Sequence, residues 1–315
     1  MIPVIDISDA VAGSPSEATV AAIRAAITEV GFLQIVGHGV PAATIDAVYD
    51  LADELMDMPL EDKSGWTHEH PFRGWERRPP TGAVIGQRLQ VCDVDSEADA
   101  LSRGIDPRYV DHFAANVWPD VPGLEEAIRA LMAEKKRVGD VLMSLFALAL
   151  ELPGDYFAPM HVDPVSTFAV NHYRGGVQTS DNRIALREHR DSGTLTVLHQ
   201  RGEYDGLEVR MPDGELLGVP VRDDAFVINI GDLMARWTND RFKATLHRVL
   251  LPETAGAKRT SLTLFHMPAI DTVIAPLPSC VGPEGTTYDG VTPYEWEAMY
   301  FAANNISAGS YGLKV

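Results

Sequence analysis

The stretch REHRDSGTLTVLHQ, Arg187 to Gln200, places a histidine and an aspartate two positions apart, before a run (TLTVL) that is typical of a β-strand. Side chains alternate between the faces of a strand, so the pattern predicts that His189 and Asp191 point to the same side. Two such side chains can hold one metal ion at about 2.0–2.2 Å. The chain has ten histidines, however, and HVDP supplies a second His-x-Asp pattern at His161 and Asp163.

A third candidate ligand lies further along the chain, in ATLHRVLL, which also reads as a strand and carries His247. Two histidines and one carboxylate can bind iron(II) on one face and leave three positions open. Zinc also accepts these ligands with an open position. The two cysteines, Cys92 and Cys280, fit no metal or redox spacing, and so few cysteines favour a reducing compartment.

The segment KRTSLTLF indicates a binding site for an acid, because Arg259 and Ser261 lie two apart and share a strand face. A guanidinium beside a hydroxyl is suited to a carboxylate. Such an acid would chelate the metal at one end and meet Arg259 at the other, which is the shape of 2-oxoglutarate. The alternative for Arg259 is a solvated charge at a strand end.

Composition excludes several classes of partner. The chain has 45 acidic and 26 basic side chains, for a net charge of −19, which argues against nucleic acid and anionic membranes. The start, MIPVIDISDA, lacks the pattern of a signal peptide, and the apolar run VLMSLFALAL is too short to span a bilayer. We therefore expect a cytoplasmic, monomeric protein that acts on a small molecule and binds neither nucleic acid nor membrane.

Helical patterns dominate the first half of the chain. SPSEATVAAIRAAITEVGF predicts a helix capped by Ser14, with Pro15 in the first turn, Glu17 completing a capping box and Gly31 ending it. Two more helices are predicted in PAATIDAVYDLADELMDM and GLEEAIRALMAEKKRVGDVLMSLFALALEL, and a C-terminal one in PYEWEAMYFAANN. Short strands and loops are expected from Pro71 to Val94.

Short β-rich runs follow Pro153 at close spacing, which predicts a sandwich or barrel, and PDG at Pro212–Gly214 predicts a hairpin turn. We interpret the chain as one structural unit. Residues 1–150 form a mostly helical region that packs on the barrel, and residues 151–315 form the β core and the C-terminal helix. The predicted strands are STFAVNHY, GTLTVLHQ, GLEVRM, ELLGVPV, AFVINIG, ATLHRVLL and RTSLTLFHM.

In this order and spacing the motifs resemble the isopenicillin N synthase-like, 2-oxoglutarate/iron(II)-dependent dioxygenases. The resemblance covers nearly the whole chain: PVIDIS and EVGFLQIVGHGV at the N-terminus, NHY at Asn171–Tyr173, HRDSGTLTVL, GDLMARWTNDRFKATLHRV and RTS. It implies a double-stranded β-helix (jelly-roll) core, mainly β, with an N-terminal α/β region and a C-terminal helix. It also implies that His189, Asp191 and His247 are the catalytic iron ligands.

For the co-substrate, the resemblance implies that Arg259, Ser261 and Tyr173 hold the distal carboxylate of 2-oxoglutarate, with Asn171 nearby. The implied cofactor is Fe(II), with 2-oxoglutarate and O₂ as co-substrates and ascorbate as a reductant in vitro. The implied reaction is hydroxylation, desaturation or cyclisation of a small molecule, in specialised-metabolite biosynthesis by analogy. Three alternatives stay open: an iron oxidase of the same fold that uses Arg259 for its substrate, a zinc hydrolase, and a non-enzymatic acid-binding barrel.

We expect the other polar residues to have structural rather than catalytic roles. We expect a loop around His161 and Asp163, because Pro164 follows them. A structural role is expected for His38, and barrel or surface positions for His172, His199 and His266. The segment Phe72–Val94 occupies a region that often lines the substrate pocket in the family. Its four arginines could bind an anionic substrate, although most of them are expected to be exposed to solvent. They are Arg73, Arg77, Arg78 and Arg88.

Overall fold

The computed structural model describes residues 1–70, 72–78, 86–162, 164–176, 183–286 and 288–303. Within these ranges the strands form an eight-stranded and a four-stranded sheet. The strands are β1 (Val4–Asp6), β2 (Phe32–Val36), β3 (Gly74–Arg78), β4 (Gly86–Cys92), β5 (Thr167–Arg174), β6 (Ile184–His189), β7 (Leu195–Gly202), β8 (Leu207–Arg210), β9 (Leu216–Gly218), β10 (Phe226–Ile230), β11 (His247–Leu250) and β12 (Lys258–His266).

The two sheets pack face to face. The large sheet has the order β1-β2-β10-β7-β12-β5-β4-β3 and the small sheet the order β6-β11-β8-β9. Phe32, Tyr173 and Val227 of the large sheet form one apolar cluster with Val209 and Val249 of the small sheet. This two-sheet core confirms the predicted, mainly β architecture, and the space between the sheets also holds the candidate site.

Helices cover the outer face of the large sheet. The longest, α6, runs across β7 and β12 and also contacts α2 and α3. Its apolar positions join those of the sheet in one buried cluster. The helices are α1 (Ser8–Val11), α2 (Glu17–Glu29), α3 (Ala42–Asp57), α4 (Leu60–Lys63), α5 (Glu97–Ser102), α6 (Leu124–Ala149), α7 (Asp232–Trp237) and α8 (Pro293–Ala303). Within the described part of the chain, no helix is long and apolar enough to cross a membrane.

A fully buried lysine fastens α6 to the sheet. The Lys135 ammonium donates to the backbone carbonyls of Val197 in β7 and Leu262 in β12. It also lies 5.6 and 5.0 Å from the ring centroids of Phe168 and Phe226, which provide cation–π attraction. Burial lowers the pKa of Lys135 well below its ordinary value. These carbonyls and rings partly replace the water that a buried ammonium loses.

Strands from the first half of the chain belong to the same large sheet as those from the second half. β2 pairs with β10, and β4 pairs with β5, both antiparallel, whereas β1 runs parallel to β2. The division at residue 150 remains a prediction. The predicted turn at Pro212–Gly214 is confirmed: it joins antiparallel β8 and β9, and the Gly214 N–H donates to the Met211 carbonyl at 2.8 Å.

Two sequence-based expectations about element boundaries are wrong. Helix α2 begins at Glu17 with Ser16 as its cap, not Ser14, because the Ser16 hydroxyl accepts the Thr19 N–H at 3.1 Å. His189 ends β6 rather than opening β7, and Asp191 lies in the turn between them. Strand β6 was not predicted from the sequence. It is an edge strand of the small sheet, where half-exposed positions tolerate polar side chains, so its sequence lacks a clear hydrophobic pattern.

Gly31, predicted to end α2, follows the C-cap residue Val30 and has a φ of 73°. A Cβ here would lie 1.8 Å from the Lys243 carbonyl oxygen, in the segment that leads to β11. This position therefore requires glycine for two reasons: the left-handed backbone and the close approach of another chain segment.

We expect Gly31→Ala to lower the free energy of unfolding by roughly 3 kcal/mol or more, since backbone strain and steric overlap add. Gly13→Ala is the matched control, because Gly13 has a similar φ of 79° with no atom within 4 Å of an added Cβ. The control should cost only about 1–2 kcal/mol. Urea unfolding measures both, and equal losses would show that the close approach to Lys243 contributes nothing.

Candidate functional site

Three side chains converge between the sheets at the end of β6 and the start of β11. His247 is opposite His189 in the strand register, and their ring centroids lie 4.2 Å apart. Asp191 Oδ1 lies 3.5 Å from His189 Nε2 and 3.6 Å from His247 Nε2. The ligand atoms of the three residues lie within 4.8 Å of one another, so one metal ion could contact all of them.

Backbone carbonyls fix the orientation of both imidazoles. His189 Nδ1 lies 2.9 Å from the Arg187 carbonyl oxygen, and His247 Nδ1 lies 3.1 Å from that of Thr245. Each Nδ1 therefore carries the proton and donates it to a carbonyl. The lone pair of each Nε2 is left to face Asp191, which is the tautomer that a metal ligand needs.

The Asp191 carboxylate is held by two residues of the large sheet. Its Oδ2 accepts from the Thr196 hydroxyl and from Asn229 Nδ2, the latter at 2.7 Å. Thr196 in β7 and Asn229 in β10 are opposite each other in the register. Both hydrogen bonds use Oδ2, so Oδ1 stays directed at the histidines.

Electrostatics favour the deprotonated form of two of these groups at neutral pH. Burial opposes ionisation of Asp191, but the nearby His247 and His189 and the Thr196 hydroxyl hold its pKa well below the usual range. Burial lowers the pKa of His247 to about 4. Burial also disfavours charge on His189, but the Asp191 carboxylate outweighs it and raises that pKa. The neutral His247 nitrogen, the ionised Asp191 oxygen and the more basic His189 nitrogen thus face the same position, where a metal ion could bind.

The turn that carries Asp191 is anchored by the N-terminus of α7. Three consecutive N–H groups there donate to turn carbonyls at 2.8–3.1 Å. The pairs are Gly231 to Thr194, Asp232 to Asp191 and Leu233 to Gly193. A Cβ on Gly231 would lie 2.1 Å from the Gly193 carbonyl oxygen, so a glycine is needed for this approach.

The remaining carbonyl of this turn, that of Ser192, accepts from a side chain of the C-terminal helix. Trp296 Nε1 in α8 donates to it at 2.9 Å. The guanidinium of Arg236 in α7 lies 5.6 Å from the Trp296 ring and 4.8 Å from that of Tyr288. The four carbonyls from Asp191 to Thr194 are therefore all hydrogen-bonded, and the C-terminal helix supplies one of the four donors.

We expect Trp296→Phe to weaken binding of a divalent metal about three- to tenfold, because it removes one hydrogen bond while keeping an aromatic ring. Calorimetric titration with cobalt(II) and the visible spectrum of the bound ion measure the effect. Trp118→Phe is the control, since the Trp118 ring packs against Arg129 instead. Equal cobalt affinity and identical spectra in all three proteins would refute a role for Trp296 in positioning Asp191.

A buried arginine lies in the same space. Arg259 in β12 is 1% exposed, and its Nη2 donates to Gln200 Oε1 at 2.8 Å. Its Nε and Nη1 are buried without a hydrogen-bond partner among the described residues. Tyr173, opposite in the register, places its ring centroid 5.7 Å from the guanidinium. A buried cation with two unused donors is costly unless an anion binds to it.

Ser261 and Asn171 lie one step further along the same two strands. They are opposite each other in the register, and Asn171 Nδ2 donates to Ser261 Oγ at 3.4 Å. Strand alternation puts both on the same face as Arg259 and Tyr173. The structure thus brings together all four side chains expected near the co-substrate, while their contacts with a ligand remain predictions.

Among the strand residues that support the site, three were not predicted from the sequence. Asn229 had a usable signal, since a buried amide interrupts the apolar strand AFVINI and needs partners. Thr196 and Gln200 had none, because both fit an ordinary strand pattern. Their roles follow from strand register alone.

The remaining histidines lie outside this cluster. His38 stacks on Phe226 at 4.1 Å, His172 Nδ1 contacts the Thr260 hydroxyl at 2.9 Å, and His199 Nδ1 contacts the Tyr49 hydroxyl at 2.8 Å. All three are buried, as the structural expectation requires. His161 ends a short 3₁₀ helix and stacks on the buried His266, and Asp163 lies outside the described residues.

The expectation that the arginines after Phe72 are mostly exposed is wrong for two of them. Arg73 is buried and donates to the carbonyls of Ala114 and Phe72. Arg88 is buried and pairs with Glu76 at 3.1 Å. These partners replace the water that each guanidinium loses on burial. Arg77 is exposed as expected, and the side chain of Arg78 lies outside the described part.

Comparison with known proteins gives a consistent result over most of the chain. Residues 164–268 match the 2OG-Fe(II) oxygenase superfamily, and residues 2–121 match the N-terminal family described as non-haem dioxygenase in morphine synthesis. Proline hydroxylase buaE of Petromyces alliaceus is 32% identical over 279 residues, which cover 83% of this chain and 85% of that protein.

Two further relatives extend this result. The 2-oxoglutarate-Fe(II) type oxidoreductase hxnY of Emericella nidulans is 30% identical over 297 residues, covering 88% of this chain and 82% of its own. The dioxygenase for auxin oxidation of rice, whose crystal structure is known, superposes with a TM-score of 0.76 at 24% identity, and the match covers 98% of each chain. That likeness shows the jelly-roll fold.

Proposed function

The chain belongs to the 2OG-Fe(II) oxygenase superfamily, so it is a 2-oxoglutarate-dependent dioxygenase with an iron(II) cofactor, and we propose how its residues serve that chemistry. His189, Asp191 and His247 hold the iron through Nε2, Oδ1 and Nε2. The donors fit the ion, because two imidazole nitrogens and one carboxylate oxygen are a ligand set that would bind iron(II) and leave room for other ligands.

The observation that carries the co-substrate assignment is the buried Arg259 with its unused Nε and Nη1. We assign these donors to the distal carboxylate of 2-oxoglutarate, which makes two charge-assisted hydrogen bonds to them. Gln200 holds the third guanidinium nitrogen and so fixes the direction of the other two. Ser261 and Tyr173 complete the carboxylate site, and Asn171, which donates to Ser261, lies near the co-substrate.

Bound iron(II) supplies the redox chemistry, in which O₂ converts 2-oxoglutarate to succinate and CO₂ while the substrate is oxidised. The protein's own residues have other tasks. The two histidines and Asp191 would keep the metal at one position, and Thr196 and Asn229 prevent Asp191 from rotating. Arg259 fixes the co-substrate, and the apolar cluster between the sheets limits the entry of water.

The substrate is a small molecule, and we propose a role in specialised-metabolite biosynthesis. The relative named proline hydroxylase makes free proline the first amino acid to assay. The alternative of an oxidase without 2-oxoglutarate gains no support from the named relatives, one of which carries 2-oxoglutarate in its name.

We expect Arg259→Ala to weaken 2-oxoglutarate binding about tenfold to a hundredfold, because charge-assisted hydrogen bonds contribute roughly 1.5–3 kcal/mol. Arg259→Lys should restore only part of the affinity, since a single ammonium replaces a fork of donors. Arg201→Ala is the control: Arg201 lies on the other face of β7 and pairs with Asp46. Unchanged 2-oxoglutarate affinity in Arg259→Ala would refute the assignment.

Anaerobic spectroscopy tests the proposed function directly. The iron(II) protein should gain a visible charge-transfer band on addition of 2-oxoglutarate, because only chelation of the metal by the keto acid produces it. Asp191→Ala should bind iron poorly and give no band. With O₂ and substrate, succinate and oxidised product should form in equal amounts. Full product formation without 2-oxoglutarate would overturn the proposal.

A further inference from the structure

A second set of polar side chains lies on the face of the large sheet that carries the candidate site, beside Asn171 and Ser261. The register places Gln90 of β4 opposite Ala169 of β5, and Ala169 opposite Thr263 of β12. Strand alternation puts Ala169 on the same face as Asn171, and Thr263 on the same face as Ser261. These three residues therefore form a row that faces the interior, next to the row that contains Asn171 and Ser261.

Two polar atoms of this row are buried and lack a hydrogen-bond partner within the described ranges: Gln90 Oε1 and Thr263 Oγ1. Gln90 is 4% exposed and Thr263 is 3% exposed. The Gln90 amide is held from its other side, since Nε2 donates to the Thr167 hydroxyl at 3.3 Å. Buried polar atoms of folded proteins are nearly always paired, so two orphans in one row point to a missing ligand.

The residue between them contributes only a methyl group. Adjacent strands lie about 4.8 Å apart, so the backbones of Gln90 and Thr263 are separated by about 10 Å across Ala169, and their side chains reach into this gap. A longer side chain at residue 169 would reach between them. Alanine leaves their polar atoms available to one small molecule that contacts both.

This row also lies between the two halves of the proposed active site. Along β12, Thr263 lies two residues from Ser261, on the side away from Arg259. On its other side, Phe265 is opposite Thr196, which holds the Asp191 carboxylate. A molecule above Ala169 would therefore lie beside the path from the metal ligands to the carboxylate site.

The charged side chains nearest to the row of Gln90, Ala169 and Thr263 neutralise each other. Arg88 is opposite Asn171 in the register and is the nearest cation along β4. Glu76, opposite Arg88 in β3, pairs with it at 3.1 Å, so the two side chains add no net charge. An anionic substrate would have to compete with Glu76 for the guanidinium. The arrangement therefore favours a substrate without net charge.

We propose that Gln90 and Thr263 bind the substrate of the oxygenase and select molecules of zero net charge that carry an O–H or N–H donor for Gln90 Oε1. The Thr263 hydroxyl pairs with a second polar group of the same molecule. This inference rests on the proposed function, because it places the substrate beside the metal ligands. It adds the class of substrate and two residues that determine specificity.

The first test needs no substrate and uses two threonines of the same strand. Thr260 and Thr263 are both buried in β12 but face opposite sides, and the Thr260 hydroxyl is paired with His172. We expect Thr260→Val to lower the melting temperature of the ligand-free protein by about 2–4 °C, because a hydrogen bond is lost. Thr263→Val should leave the melting temperature unchanged or raise it. Equal losses in the two variants would overturn the proposal, since Thr263 would then have a partner inside the protein.

The second test uses molecules that share one ring and differ in their polar group. The probes are cyclohexane-1,3-diol, cyclohexanecarboxylate and methylcyclohexane, and the readout is succinate formed above the rate without a probe. We expect the diol to stimulate most, and its effect to fall at least fivefold in Gln90→Leu and Thr263→Val but not in Thr260→Val. Stronger stimulation by the acid or the hydrocarbon would overturn the class of substrate.

The anaerobic charge-transfer band separates this inference from the function on which it rests. Each variant should keep the band, because neither Gln90 nor Thr263 is among the proposed ligands of the iron or of 2-oxoglutarate. A band in the wild-type protein with no stimulation by any probe would count against the inference alone. A missing band in the wild-type protein would instead refute the proposed function, while the comparison of melting temperatures would still decide whether Thr263 is paired.

Discussion

The Asp191 carboxylate is the contact on which the arrangement of the site depends, because it connects the two sheets. One oxygen accepts hydrogen bonds from Thr196 and Asn229 in the large sheet, and the other faces His189 and His247 in the small sheet. A buried negative charge costs free energy unless a cation balances it. Because a bound metal ion would contact both sheets through these side chains, metal affinity and the packing of the sheets are coupled.

Arg259 presents the opposite problem in the same interior. Its guanidinium is buried, and among the described residues its one hydrogen-bond partner is the neutral amide of Gln200. The interior therefore contains one carboxylate that needs a cation and one cation that needs an anion. Iron(II) together with a keto diacid would meet both needs at once. This complementarity explains in physical terms why a protein of this superfamily can tolerate two such costly groups in one core.

The sequence was sufficient to predict the parts of the site that follow short-range rules. His189 and Asp191 form a local pair, and Arg259 and Ser261 share a face because side chains alternate along a strand. The partners Gln200, Thr196 and Trp296 could not be predicted, because each meets its target through strand register or helix docking between distant segments. The error over β6 has a similar cause: an edge strand can be polar on both faces, so hydrophobic alternation does not reveal it.

Strand β12 shows how the fold separates stability from chemistry. Leu262 and Leu264 lie on the outer face of the large sheet and pack into the apolar core beneath α6. Each fully buried leucine there contributes about 1.5–3 kcal/mol to the free energy of unfolding. Arg259, Ser261 and Thr263 alternate with them and point inward, where polar groups without partners reduce stability. The outer face can offset that cost only if α6 stays fixed on the sheet, and Lys135 binds carbonyls of β7 and β12 at this contact. An apolar outer layer therefore allows the inner face of the same strand to remain polar and incompletely paired.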